Sequence, residues 1–261
     1  MILRIFCIFS MLAVSLSACK SEKELKESSE YDALQHILNV DCSSSSGLEA
    51  YFSMALAGQM KRLQDRVEID AQTIDTLFVG DSMMWFCKRC SSGHDSNGVI
   101  TIPEVNGAFS NSLNLAIPES KTKQTYEHVL SYLGYLKSKN ITPKNLVISS
   151  TGNDILKECD LIQADTNRKR IVDLAYSFGV QRIIWMPVPH IMNDKYSKVI
   201  DAQDEKIAEL VKKGVVVPTA MLLELNIGKY ADPTKNNGDG IHHNDAGYEI
   251  WIKYIQPALI P

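Results

Sequence analysis

Four short segments of this 261-residue chain carry residue types that together could perform nucleophilic serine chemistry. The first is Phe78-Val79-Gly80-Asp81-Ser82-Met83-Met84. A glycine lets the chain turn tightly, and the serine that follows can sit at a helix amino terminus with its hydroxyl exposed and its own N–H free to face a developing anion. The last is Asp239-Gly240-Ile241-His242-His243-Asn244, which places a carboxylate three residues before the first of two histidines. A carboxylate on such a turn can orient an imidazole that takes a serine proton and later returns it to a leaving group. The segment alone does not choose between His242 and His243.

Two further segments lie between these. In Val105-Asn106-Gly107-Ala108-Phe109, a glycine permits a backbone N–H to approach a substrate oxygen closely. In Ser150-Thr151-Gly152-Asn153-Asp154, Asn153 supplies an uncharged amide donor suited to a tetrahedral oxyanion, and Asp154 is expected to cap the helix that follows. Each fragment by itself also reads as an ordinary turn or helix start.

The elements that must position them follow from periodicity. Apolar residues recur at helical spacing over 48–67, 122–137 (Tyr126, Val129, Leu130, Leu133), 167–178, 201–213 and 245–255. Between them fall short β-rich runs at 76–79, 99–102, 146–149, 182–186 and 215–217. This alternation predicts an α/β domain over residues 47–261, a three-layer α/β/α sandwich around a central, mainly parallel sheet of flavodoxin-like type. In such sheets ligands bind beyond the carboxyl ends of the strands, and three of the four segments directly follow a predicted strand.

The ordered set of Gly-Asp-Ser, a loop glycine, Gly-Asn-Asp and Asp-x-x-His resembles the SGNH hydrolase superfamily, the GDSL-like esterases and lipases, over roughly residues 74–256. The resemblance implies a serine hydrolase acting on carboxylic ester bonds without metal or organic cofactor. It implies Ser82 as nucleophile, His242 as general base and acid, Asp239 as its orienting carboxylate, and Ser82, Gly107 and Asn153 as the oxyanion hole. The block around Gly107 is loose compared with the usual glycine-rich form. His243 stands where proline is common, and Met83 where leucine is frequent. His190, after a predicted strand, either lines the pocket or has a structural or exposed role, and Met84-Trp85-Phe86 either lines an acyl pocket or packs into the core.

The amino terminus reads as a targeting segment over residues 1–18, with Arg4, an apolar run from Ile5 to Leu16 and a small-residue cleavage site. Leu16-Ser17-Ala18-Cys19 resembles the bacterial lipobox, which implies lipidation of Cys19 and a membrane anchor outside the cytoplasm, with Lys20 pointing to the outer membrane. Residues 19–46, rich in Lys, Glu and Ser, suit a tether. Cys42, Cys87, Cys90 and Cys159 remain for pairing in an oxidising compartment. Ser82 already occupies the strand-to-helix position a redox Cys-x-x-Cys would need, and no second close pair offers a zinc site, so structural disulfides are expected. Three pairings of the four cysteines are open and the sequence does not choose among them; Cys87–Cys90, behind the nucleophile, is one.

Of 27 basic and 31 acidic residues, the first 18 positions hold only Arg4, leaving 26 against 31 beyond them. That mild negative balance offers no footprint for nucleic acid. The expected partners are a small-molecule, glycan or lipid ester, with O-acetyl or short acyl groups of extracytoplasmic glycans or lipids foremost, and a membrane through the lipid anchor. The other readings are an O-acyltransferase to a cell-surface glycan and a non-catalytic surface lipoprotein of the same fold. An acyl-donor channel or partner domain is not legible, which favours hydrolysis, and a broken serine–histidine contact would favour the scaffold.

Overall fold

The computed structural model describes residues 46–70, 74–87, 90, 109 and 111–260. Four strands form its sheet: β1 (Thr76–Gly80), β2 (Ser112–Asn114), β3 (Asn145–Ser149) and β4 (Arg182–Trp185). They pair in the order β2-β1-β3-β4, all parallel. Every residue of these four strands but Arg182 is buried, as expected of a parallel sheet covered on both faces.

Alternation along the strands separates two cores. Leu77, Val79, Leu146, Ile148, Ile183 and Trp185 face one cluster, whereas Phe78, Val147 and Ile184 face the other. The first cluster is completed by α1 (Ser46–Asp70), α3 (Thr122–Ser138) and α5 (Leu161–Ser177), through Leu63, Tyr132 and Ile171 among others. The second is completed by α2 (Ser82–Trp85), α7 (Leu222–Leu225) and α8 (Asp245–Ile255), through Met84, Leu225 and Trp251. The remaining helices are α4 (Gly152–Leu156) and α6 (Ser197–Ala208). The architecture is the expected three-layer α/β/α sandwich. None of the described helices is long and apolar enough to cross a membrane.

Several boundaries depart from the periodicity. Helix α5 starts at Leu161 rather than 167, because Asp160 accepts from the N–H groups of Ile162 and Gln163 and nucleates the helix earlier. The 201–213 helix instead runs as α6 from Ser197 and tightens into a 3₁₀ turn over Glu209–Lys213, ended by left-handed Gly214. Residues 215–217 contribute one parallel bridge, between Ile184 and Val216, instead of a strand. Strand β2 was not anticipated, since Ser-Leu-Asn carries a single apolar residue. Its polar carboxyl end is satisfied internally: the Asn114 amide donates to the Met84 carbonyl and accepts from the Ala116 N–H. The run at 99–102 lies outside the described residues.

The strand order reverses between β1 and β3, so the crevice beyond their carboxyl ends is where this topology places a ligand. Gly80 and Ser149, the last residues of those strands, are paired there.

Candidate functional site

The turn after β1 depends on Gly80. Its φ is +138°, and a Cβ built there would lie 1.7 Å from the Ser149 carbonyl oxygen, so only glycine lets β1 leave the sheet against β3. The Asp81 N–H donates to that same carbonyl at 2.9 Å. The Asp81 carboxylate then caps the next turn, accepting from the Met83 N–H at 3.1 Å and from the Ser149 hydroxyl at 3.3 Å. Burial pushes its pKa up to about 7 despite those two bonds. Ser82 is the first residue of α2, where a backbone N–H has no intrahelical acceptor.

The Ser82 Oγ lies 2.8 Å from Nε2 of His242, and Nδ1 of that ring lies 2.5 Å from Oδ2 of Asp239. The other Asp239 oxygen accepts from the N–H groups of Ile241 and His242, both at 2.8 Å. Burial would raise the Asp239 pKa, but the bonds from the His242 ring and these two amides outweigh it and hold the carboxyl well below the usual carboxylate range. It therefore stays ionised beside the imidazole. Phe86 closes over the ring edge-to-face, with centroids 4.9 Å apart.

The adjacent histidines have opposite fates. His243 points into the second core against Tyr248 and Trp251, at 5.5 and 5.6 Å between ring centroids. Burial first, then the neighbouring His242, push its pKa down to about 4. Helix α8 packs on it through Gly247, where a Cβ would come within 2.8 Å of the His243 side chain and 2.5 Å of the Lys235 carbonyl. His242 alone reaches Ser82.

Asn153 lies in α4, directly after β3, and is buried. Its amide donates to the Ser120 carbonyl at 3.2 Å, which fixes the side chain while leaving the second N–H for another acceptor. Asp154 does not cap the helix that follows it. It accepts from the N–H and hydroxyl of Thr122, at 2.9 and 3.0 Å, and so ties the loop to the start of α3. Gly107 and Cys19 lie outside the described residues.

Cys87 and Cys90 are disulfide-bonded and buried in the second core behind Phe86, and Cys159 is disulfide-bonded as well. Of the aromatic segment, Met84 is in the core and Trp85 is exposed. Beside Ser82 runs a shallow, open apolar cleft lined by Met83, Gly152, Ile155, Val188, Ile191 and Ile241, among others. Pro189 lines it but His190 does not. That ring bonds Asp201 at 2.7 Å and the Gly228 carbonyl at 3.2 Å, and the His190 backbone N–H donates to the Asn226 side-chain oxygen, so His190 fastens the cleft wall to α6 and to the hairpin over 226–231. Nothing in a lone Val-Pro-His announced those partners.

No protein-family model and no curated protein matches the sequence. Solved structures do. A GDSL-like lipase from Bacteroides thetaiotaomicron is 15% identical with a TM-score of 0.57, the match covering 78% of this chain and 97% of that one. A G-D-S-L-family protein from Desulfitobacterium hafniense is 16% identical with a TM-score of 0.55, covering 72% and 100%. A member of the lipolytic G-D-S-L family from Veillonella parvula is 13% identical with a TM-score of 0.50, covering 69% and 94%. The likeness is one of fold, and the fold of this chain is that of the SGNH, or GDSL-like, hydrolases.

Proposed function

We propose that the protein is a serine esterase that cleaves short acyl esters through an acyl-enzyme. The observation that carries this is the unbroken line from Ser82 Oγ through His242 to Asp239, with contacts of 2.8 and 2.5 Å. In this reading His242 Nε2 takes the Ser82 proton as Oγ attacks the ester carbonyl, and the imidazolium that forms is stabilised by ionised Asp239. The oxyanion accepts from the Ser82 N–H and the Asn153 amide, and Gly107 is the third donor that the resemblance implies. His242 then gives its proton to the departing alkoxide, leaving the acyl group on Ser82. Water, deprotonated by His242, attacks that ester, and His242 returns the proton to Ser82 Oγ as the acyl–oxygen bond breaks and the carboxylic acid leaves.

The cleft supports the acyl side of the substrate. Its walls flank all three parts of the machinery: Met83 follows Ser82, Gly152 precedes Asn153 and Ile241 precedes His242. An apolar acyl chain gains about 0.8 kcal/mol per buried CH₂ there. The alcohol side is proposed to be an O-acylated glycan or lipid outside the cytoplasm, reached by a domain that lipidated Cys19 anchors to a membrane. The intact Ser82–His242 contact speaks against a non-catalytic scaffold.

The test is hydrolysis of 4-nitrophenyl acetate, butyrate and octanoate by the soluble domain beside its Ser82→Ala variant. Hydrolysis of the shorter esters, abolished in the variant, is expected. Equal rates in both folded proteins would overturn the reading.

A further inference from the structure

Thr151 is a fully buried threonine with φ +131° and ψ −27°, a backbone conformation that residues with a Cβ rarely adopt. Such a conformation persists only where surrounding contacts over-determine it. They do so here. Ser149 donates to Asp81, the Ser150 hydroxyl meets that of Thr125 at 3.0 Å, and Asp154 holds Thr122. The Thr151 carbonyl accepts from the Ile155 N–H. The Thr151 hydroxyl accepts from the guanidinium of Arg168 at 3.2 Å.

Arg168 is unusual in its own right, because its side chain is wholly buried. Burying a guanidinium is costly unless its donors are used. Besides Thr151 it donates to Gln203 at 2.9 Å and to Asp165 at 3.5 Å, while its Nε has no partner. An arginine kept for packing alone would not need one fork nitrogen aimed at a strained loop two residues before Asn153.

We propose that Thr151 and Arg168 are positioning residues, and that the Arg168–Thr151 hydrogen bond holds the strained turn in the one arrangement that presents the Asn153 amide to the oxyanion. The proposal rests on the serine-esterase reading. Without the bond the turn relaxes, Asn153 shifts, and the oxyanion loses a donor. Substrate binding changes little, because of the cleft wall only Gly152 belongs to the turn itself, while Met83, Val188, Ile191 and Ile241 lie on other segments. Displacements on the scale of 1 Å near a reacting centre can cost about a hundredfold in rate.

Substituting Arg168 risks the fold, so the bond is better removed at its other end. Thr151→Val keeps the shape and β-branching but loses the hydroxyl, and Thr151→Ser keeps the hydroxyl. The measurements are kcat and KM for 4-nitrophenyl esters, together with the rate at which a fluorophosphonate labels Ser82, which needs the same oxyanion donors and no knowledge of the natural ester. Thr151→Val is expected to lower kcat and the labelling rate about ten- to a hundredfold with KM within about twofold, and Thr151→Ser to retain most of both. In an Asn153→Ala background Thr151→Val is expected to add nothing, because the group it positions is gone. Wild-type rates in folded Thr151→Val, or a loss that adds in full to that of Asn153→Ala, would overturn the proposal while leaving the esterase standing. A wild-type Ser82 that takes no label and supports no hydrolysis would overturn both.

Discussion

The two loops that meet at Ser82 are built by different physics. The loop over 236–244 is held by its own side chains: Asn236 accepts from the N–H groups of Gly238 and Gly240, Asn237 from Asp239, and Asp239 from Ile241 and His242. The loop over 149–154 is held from afar, by Asp81, Thr125, Arg168, Ser120 and Thr122, and contains a strained threonine. A locally bonded loop fixes a rigid triad with Asn, Asp and Gly, whereas a remotely bonded one can hold a strained geometry but depends on partners 17 or more residues away. The half that carries the base is a self-contained turn, and the half that carries the donor is part of the core.

The sharpest way to break that contrast is to delete one amide from each loop. Asn153→Ala removes a donor that acts on the transition state, and is expected to lower kcat about 10²- to 10³-fold. Its folding cost should be about 1 kcal/mol, for the one Ser120 carbonyl that loses its donor, since Ser149, Ser150, Thr151 and Asp154 keep their partners. Asn236→Ala leaves two N–H groups without an acceptor and is expected to cost about 1 to 3 kcal/mol of stability as well as activity. Steady-state kinetics and thermal unfolding of the two variants check this. Equal stability losses would mean that the loops are not differently held.

A smaller effect separates by pH the loop that carries the base from Asp81, one of the remote anchors of the other loop. His243, beside the triad, is buried with its pKa down at about 4, so its contribution to stability is complete above the unfolded value near 6.5 and is lost as pH falls toward 4. Asp81, beneath Ser82, is buried with its pKa up at about 7, so its contribution is complete below the unfolded value and is lost as pH rises toward 7. Relative to wild type, His243→Gln should therefore gain stability on acidification from pH 6.5 to 4, and Asp81→Asn on alkalinisation from pH 4 to 7. Each slope is at most about 1.4 kcal/mol per pH unit. Denaturant unfolding across pH 4–7 checks both signs, and parallel lines for the three proteins would contradict the account.

This division also explains what the sequence disclosed. The Asp239–His242 turn was legible because its bonds join residues two to four apart, and Asn, Asp and Gly advertise such turns. The sheet was legible where strands were continuously apolar, as in Leu146-Val147-Ile148, and not at β2, where burial comes from its neighbours. A cap at Asp160 could have been read, since an aspartate before a helical run is a start signal. Asp154 was misread for the opposite reason, as its acceptors serve a helix 32 residues earlier. Nothing local marks Arg168 as buried or His190 as a clamp. Which histidine faces Ser82 is decided by the core that takes up His243.

The central claim is that Ser82 carries the acyl group, and the most direct measurement is intact-mass and peptide mass spectrometry after rapid mixing with 4-nitrophenyl acetate and acid quench. One acetyl group per chain, located on the peptide holding Ser82 and absent in Ser82→Ala, is the predicted result. Turnover of the ester with no acyl group on Ser82 would contradict it.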